Sequence, residues 1–234
     1  AYVSELTNRE PITAIDVAFA LPYSPEKPFS DEDDQIHIGL NISGLLWNGG
    51  YSGKNQFSLT TDYRQYCVDL TKWLKEHGYI VHLISHVQCC DLAVEDDLRA
   101  CETLREINKA TYVIAPHFKT PMEAKSYISR LDCFVGARMH STIAALSCGV
   151  AVIPFAYSRK FNGLFGTLDY PYVIDGTTLT TPDALSKTEQ YILQHQVLAQ
   201  SVMVSKLSAE QKLNQFKVCV EENLLGDSQN DRDT

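Results

Sequence analysis

Apolar residues along this chain recur with two alternating periods. Short runs with extended-strand spacing, beginning with Ile36-His37-Ile38-Gly39-Leu40-Asn41-Ile42, are followed by longer stretches whose apolar positions return every three or four residues. The first run leads through a glycine-rich loop (Gly44, Gly49, Gly50, Gly53) into a helix over about Thr60 to His77, which Gly78 stops. Further strands are expected at Tyr79–Ser85, Thr111–Ala115, Cys133–Gly136, Ala151–Ala156 and Tyr172–Ile174. Helices fall between them at Asp96–Asn108, Pro121–Arg130 with proline in its first turn, Ser141–Cys148 and Lys160–Leu168, and then from about Pro182 onward. Strands alternating with helices at this pitch imply a doubly wound, Rossmann-like α/β fold, a parallel sheet with helices on both faces. Such sheets bind ligands beyond the carboxyl ends of their strands, near the point where strand order reverses. That rule selects the loops Asn41 to Gly53, Ser85 to Asp97, Pro116 to Thr120, Gly136 to Thr142 and Tyr157 to Gly163.

Residues 1–34 differ in character from the rest of the chain. An apolar stretch, Ile12 to Leu21, runs into Pro22, Pro25, Pro28 and the acidic run Asp31-Glu32-Asp33-Asp34, which reads as the remnant of a preceding domain and its linker. Residues 35–225 form the Rossmann-like, donor-binding domain, and 226–234 a polar, frayed tail. The chain's first residues lack the basic start and apolar centre of a secretory signal, and suit a chain that begins inside a longer protein.

With 234 residues, 44% of them hydrophobic, there is enough chain for a substantial core. A net charge of −9 argues against nucleic acid or an anionic membrane as the main partner, so any anion site must be local. The longest apolar runs are far short of the roughly 20 residues a membrane helix needs, and no transmembrane segment is expected. Seven cysteines without a Cys-x-x-Cys pair, several in apolar surroundings, point to free thiols in a reducing cytoplasm. The cluster His86, Cys89, Cys90, Asp91 matches no zinc spacing, and no metal is expected.

The densest candidate chemistry is Gly136-Ala137-Arg138-Met139-His140-Ser141-Thr142, where a buried strand gives way to a helix. Alternation along an extended segment would send Arg138 and His140 to one side, and Ser141 or Thr142 would cap the helix. A guanidinium, a titratable imidazole and a helix N-terminus would then converge where a phosphate or carboxylate could sit. The bland alternative is a buried arginine tying down a strand end beside a histidine that caps a carbonyl. The next loop adds Tyr157-Ser158-Arg159-Lys160, with Lys160 the favoured further cation. Asn41 and Ser43 border a glycine-containing loop that lets backbone approach a ligand. His86 opens the loop after the second strand, on the acceptor side, while Asp96 and Asp97 read as residues favoured by the positive end of a helix. Neither Gly-x-Gly-x-x-Gly nor a Walker lysine motif is present, and no nucleotide cofactor is indicated.

The segment Gly136-Ala137-Arg138-Met139-His140-Ser141, with Ala144-Ala145, Cys148 to Pro154 and Tyr157-Ser158-Arg159-Lys160, resembles the C-terminal signature of the polysaccharide pyruvyl transferases. Asp16 to Leu21, Ile38 to Ser43, and His86 with Asp96-Asp97 extend the resemblance, which runs from about Ile12 to Asp175. It implies one half of a two-domain architecture of the glycosyltransferase B type. The implied activity is transfer of a pyruvyl group from phosphoenolpyruvate to hydroxyls of a sugar in a glycan or glycolipid, as in exopolysaccharide biosynthesis, with phosphoenolpyruvate as co-substrate and no other cofactor. Arg138 would then grip the donor's phosphate or carboxylate, His140 would act as general acid or stabilise the departing phosphate, and Lys160, Ser141, Tyr157, Asn41, Ser43 and His86 would line the substrate site. Most of a first domain would be missing ahead of residue 35. Two other readings compete: a nucleotide-sugar glycosyltransferase of related fold, and a non-catalytic module that has kept the fold. Arg138 and His140 held in separate ion pairs would favour the module.

Overall fold

The computed structural model describes residues 14–88 and 91–222. Its six strands are β1 (His37–Asn41), β2 (Ile80–Ile84), β3 (Val113–Ile114), β4 (Cys133–Gly136), β5 (Ala151–Ala156) and β6 (Ile174–Asp175). All pair in parallel, in the order β3-β2-β1-β4-β5-β6. The chain winds outward from β1 to β3, then crosses back to lay β4 against the free side of β1. The strand order therefore reverses between β1 and β4, where Asn41 stands in register with Gly136 at the carboxyl edge. The helices are α1 (Ser30–Asp33), α2 (Gly44–Trp47), α3 (Tyr63–Glu76), α4 (Asp97–Asn108), α5 (Pro121–Ile128), α6 (Met139–Cys148), α7 (Arg159–Thr167), α8 (Thr181–Leu193) and α9 (His195–Val220), with a 3-10 turn at Val17–Ala20.

Strand periodicity separates two apolar cores. Ile38 and Leu40 of β1, Val135 of β4 and Ile153 of β5 face one way, against Tyr66, Leu70 and Leu74 of α3 and Leu104 of α4. Phe134, Val152 and Ala156 face the other, against Ile128 of α5, Ile143 and Leu146 of α6 and Val202 of α9. The doubly wound expectation therefore holds, with helices on both faces. Local signals set the ends: Asp62, Asp96, Thr120 and Thr180 cap α3, α4, α5 and α8 through side-chain oxygens, and Gly149 closes α6 in the left-handed region at φ 89°. Two short helices, α1 in the acidic run and α2 in the glycine-rich loop, interrupt stretches that read as irregular.

The segment read as a linker packs along the domain. Ile15 and Phe19 are buried in the second core. The buried Lys125 donates to the carbonyls of Phe19 (3.3 Å) and Leu21 (2.7 Å), and Phe29 N donates to Arg130 O (2.9 Å). Arg130 returns a bond to Lys27 O, pairs with Glu26 and Glu32, and lies 3.8 Å over the Phe29 ring. Beneath that ring runs a polar chain, His37 to His82 at 2.8 Å and His82 to the Tyr127 hydroxyl at 2.7 Å, with Asp33 on the outer nitrogen of His37.

Two expectations come from this packing. A methyl group on Gly44 would lie 2.5 Å from the backbone oxygen of Asp96, so Gly44→Ala must push α2 off the start of α4. A loss of about 1–3 kcal/mol in urea unfolding is expected, as for other overpacked sites. Burial, with the neighbouring His37 and Arg130, pushes the His82 pKa down to about 4, against a smaller upward pull from Asp33. Its ordinary value is 6.5, so the unfolded chain binds the extra proton between those limits. Stability should fall as pH drops from 6.5 toward 4, and His82→Gln should flatten that part of the stability profile relative to the parent chain.

Candidate active site

At the switch point the organising group is a carboxylate. Asp97, fully buried in the first turn of α4, accepts from Gly44 N (2.8 Å), His86 N (3.1 Å), Val87 N (3.0 Å) and Asn41 Nδ2 (3.3 Å). It also takes Arg138 at 2.8 Å from Nη2 and 3.2 Å from Nε, a two-pronged ion pair. Asn41, at the end of β1, completes the frame. Its Nδ2 donates to Ile84 O (3.0 Å), while its Oδ1 accepts from Arg138 N (2.9 Å) and Ser141 Oγ (3.3 Å). One acid and one amide thus tie together the ends of β1, β2 and β4 and the start of α4.

Arg138 and His140 do not share a side. The helix begins at Met139, two residues before the expected Ser141, so extended alternation has already given way to helical spacing between them. Neither Ser141 nor Thr142 caps α6: both lie inside its first turn, and their hydroxyls donate back to Arg138 O and Met139 O at 2.7 Å. Arg138 holds the N-cap position without a side-chain cap bond, so among the described residues no side chain accepts from the first N–H groups of α6. His140 is 66% exposed and faces Asp16, with Nε2 3.6 Å from Oδ2. The two side chains are therefore turned apart in separate ion pairs, as the module reading allows, but only the Arg138 pair is buried. Arg138 keeps one surface free of that pairing: Nε and Nη2 are spent on Asp97 and on Glu95 O (2.8 Å), but Nη1 has no partner among the described residues.

His86 brings the two halves together. Burial lowers its pKa; Asp97 pulls it up, and Arg138 and His140 push it down, so the imidazole stands neutral at neutral pH. It lines a cavity of about 500 Å3 with His140, Asp16 and Lys125, and also a smaller cavity with His117, Lys119 and Thr120. Tyr157 is half-buried edge-on to Phe57, its hydroxyl pKa raised by burial against the opposing charge of Arg138. Ser43 caps α2, and its backbone N–H donates to the Tyr63 hydroxyl oxygen at 3.0 Å. Lys160 is exposed in the first turn of α7, with no contact to the frame among the described residues. Cys89 and Cys90 lie outside the described residues.

Two acids carry more than their sequence positions suggest. Asp96 caps α4 as expected, but Asp97 is the partner of Arg138. The doubled acid is the available signal, since one carboxylate suffices for a cap. Asp16, far away in sequence, carries no local signal for its place beside His140.

Known structures share this fold. An E. coli trehalose-6-phosphate protein bound with UDP-2-fluoro glucose aligns with a TM-score of 0.54 at 11% identity, over 90% of this chain and 50% of its own. A trehalose-6-phosphate synthase, OtsA, aligns with a TM-score of 0.53 at 11% identity, over 88% of this chain and 47% of its own. These are glycosyltransferases of the B type, and the chain spans about half the length of the solved structures it matches. No curated protein matches the sequence significantly. The polysaccharide pyruvyl transferase model matches residues 3–159, a stretch that contains β1 to β5, Asp16, Asn41, Asp97, Arg138 and His140. The chain therefore belongs to the polysaccharide pyruvyl transferase family.

Proposed function

We propose that this chain is the donor-binding part of a pyruvyl transferase that takes phosphoenolpyruvate and forms a ketal on a sugar of a glycan or glycolipid. The observation that carries the reading is the N-terminus of α6, which carries no side-chain cap bond, at the sheet's switch point, with Arg138 at its N-cap and His140 in its first turn. A helix of ten residues presents partial positive charge and unpaired N–H groups there. Arg138 contributes donors rather than net charge, because Asp97 neutralises it. The donor's negative charge is instead met by the helix terminus and by the His140 imidazolium.

The chemistry suits these groups. His140 delivers a proton to the methylene carbon of the enol, a new C–H bond forms, and the adjacent carbon becomes oxocarbenium-like. One sugar hydroxyl adds to that carbon and yields its proton to the imidazole. A second hydroxyl displaces phosphate, its proton leaving with the anion, so that donor and diol give ketal and inorganic phosphate. The acceptor approaches past His86 from the side of the two cavities. Buried Cys67, Cys101 and Cys133, all free thiols, suit work in a reducing compartment, the cytoplasm. Among the described residues no helix is long and apolar enough to cross a membrane.

Titration calorimetry with phosphoenolpyruvate tests the reading. His140→Ala removes an exposed side chain and should weaken binding roughly 10- to 100-fold, the worth of a hydrogen bond to a charged group. Arg138→Lys, which keeps a cation for Asp97 but loses the free Nη1 edge, should weaken it by a similar factor. Unchanged affinity in both variants, or a heat of binding with UDP-glucose and none with phosphoenolpyruvate, overturns it.

A further inference from the structure

We propose that Asp16 is a positioning residue for His140 and that the buried ammonium of Lys125 holds it in place; this rests on the reading of His140 as the proton donor. Asp16 Oδ1 accepts from Ala18 N at 2.8 Å, which fixes the carboxylate at the start of the 3-10 turn and leaves Oδ2 toward His140 Nε2 at 3.6 Å. That separation is an ion pair rather than a full hydrogen bond. Acid–base pairs at reaction sites tighten when ligand closes on them.

The turn is anchored at both ends. Ile15 and Phe19 sink into the core shared with α6, and Lys125 reaches up from α5 to the carbonyls of Phe19 and Leu21, with Nζ 5.3 Å from the Tyr23 ring. Burial lowers the Lys125 pKa, as expected for a cation taken from water. An apolar residue would fill the same space without that desolvation. What the ammonium adds is direction: two carbonyl bonds fix where the segment crosses α5, and so where Asp16 stands.

Three titratable groups share a cavity with His140: Asp16 from the turn, His86 from the loop after β2, and Lys125 from α5. Among the described residues Asp16 is the one carboxylate lining the cavity they share, whose other walls include Val17, Leu21, Pro121 and Ala144. A carboxylate facing Nε2 favours the proton on that nitrogen in the neutral ring, which leaves Nδ1 as the nitrogen that gains and gives up the second proton. Nδ1 has no partner among the described residues and is the atom that would deliver its proton to the enol carbon and take one back from the attacking hydroxyl.

Two measurements on the chain as it stands test this. Nitrogen-15 NMR of the His140 ring, without donor, should show the Nε2 resonance moved in Asp16→Asn and the Nδ1 resonance moved in the opposite sense. It should show Nε2 moved in the same sense in Lys125→Met and restored toward the parent position in Asp16→Glu. An Nε2 resonance unmoved in Asp16→Asn overturns the pairing, and one unmoved in Lys125→Met overturns the tether. The second measurement is a double-mutant cycle in phosphoenolpyruvate affinity. Asp16→Asn should weaken binding about two- to fivefold in the parent chain and leave it unchanged in His140→Ala, as expected for an exposed charge pair acting through the imidazole. An equal loss in both backgrounds overturns the positioning role. Absence of phosphoenolpyruvate binding in the parent chain refutes the donor reading, while the NMR result still decides whether Asp16 pairs with His140.

Discussion

The candidate site depends on a carboxylate that water does not reach. A buried charge of this kind persists only when its lone pairs are filled and an opposite charge is close. Asp97 meets both conditions with backbone N–H groups from the loops after β1 and β2, the Asn41 amide and the Arg138 guanidinium. Because those donors come from separate elements, the carboxylate locks the carboxyl edge of the sheet into one arrangement. Removing one partner would leave the others facing an uncompensated charge, a disruption worth about 3–5 kcal/mol in comparable buried pairs. Gly44 belongs to the same arrangement: its N–H reaches Asp97 because no side chain keeps the backbone of residues 95–96 away.

This economy of charge bears on how an anion could be held. Arg138 and Asp97 together are neutral, so the arginine supplies direction and two N–H groups, and the favourable field must come from elsewhere. The uncapped end of α6 is suited to that part. Five of the described helices carry a side-chain cap from Ser43, Asp62, Asp96, Thr120 or Thr180, whereas α6 starts at a residue whose side chain is committed to Asp97. The same ion pair thus rigidifies the frame and leaves the helix end open.

The chain ahead of β1 is tied to α5 and the turn after it through Lys125, Ser126 and Arg130, at Leu21, Ser24 and Lys27. These bonds go to backbone groups, so they fix the path of the segment more than its side chains. Phe29, held between Arg130 and the His37–His82 pair, adds an aromatic contact at the other end of the sheet from the site. The consequence for chemistry is that Asp16 arrives beside His140 on a braced segment.

Much of the architecture was legible in the chain. Periodicity gave the order and type of the main strands and helices because apolar spacing reports directly on which face an element buries, and Gly78 and Pro121 marked helix ends through local backbone chemistry. The Arg-x-His segment marked the right edge of the sheet, since a strand must end and a helix begin there. The partners lay beyond the reach of the sequence. Whether Arg138 meets a ligand or Asp97, whether α6 starts at Ser141 or at Met139, and whether Asp16 lies near His140 all depend on contacts between residues 41 to 124 positions apart. The sequence by itself determined a doubly wound sheet and the loops at its carboxyl edge, because those arise from local spacing. Only the tertiary structure decided how charge is distributed there, because a buried carboxylate takes whichever donors the packed elements bring within hydrogen-bonding distance.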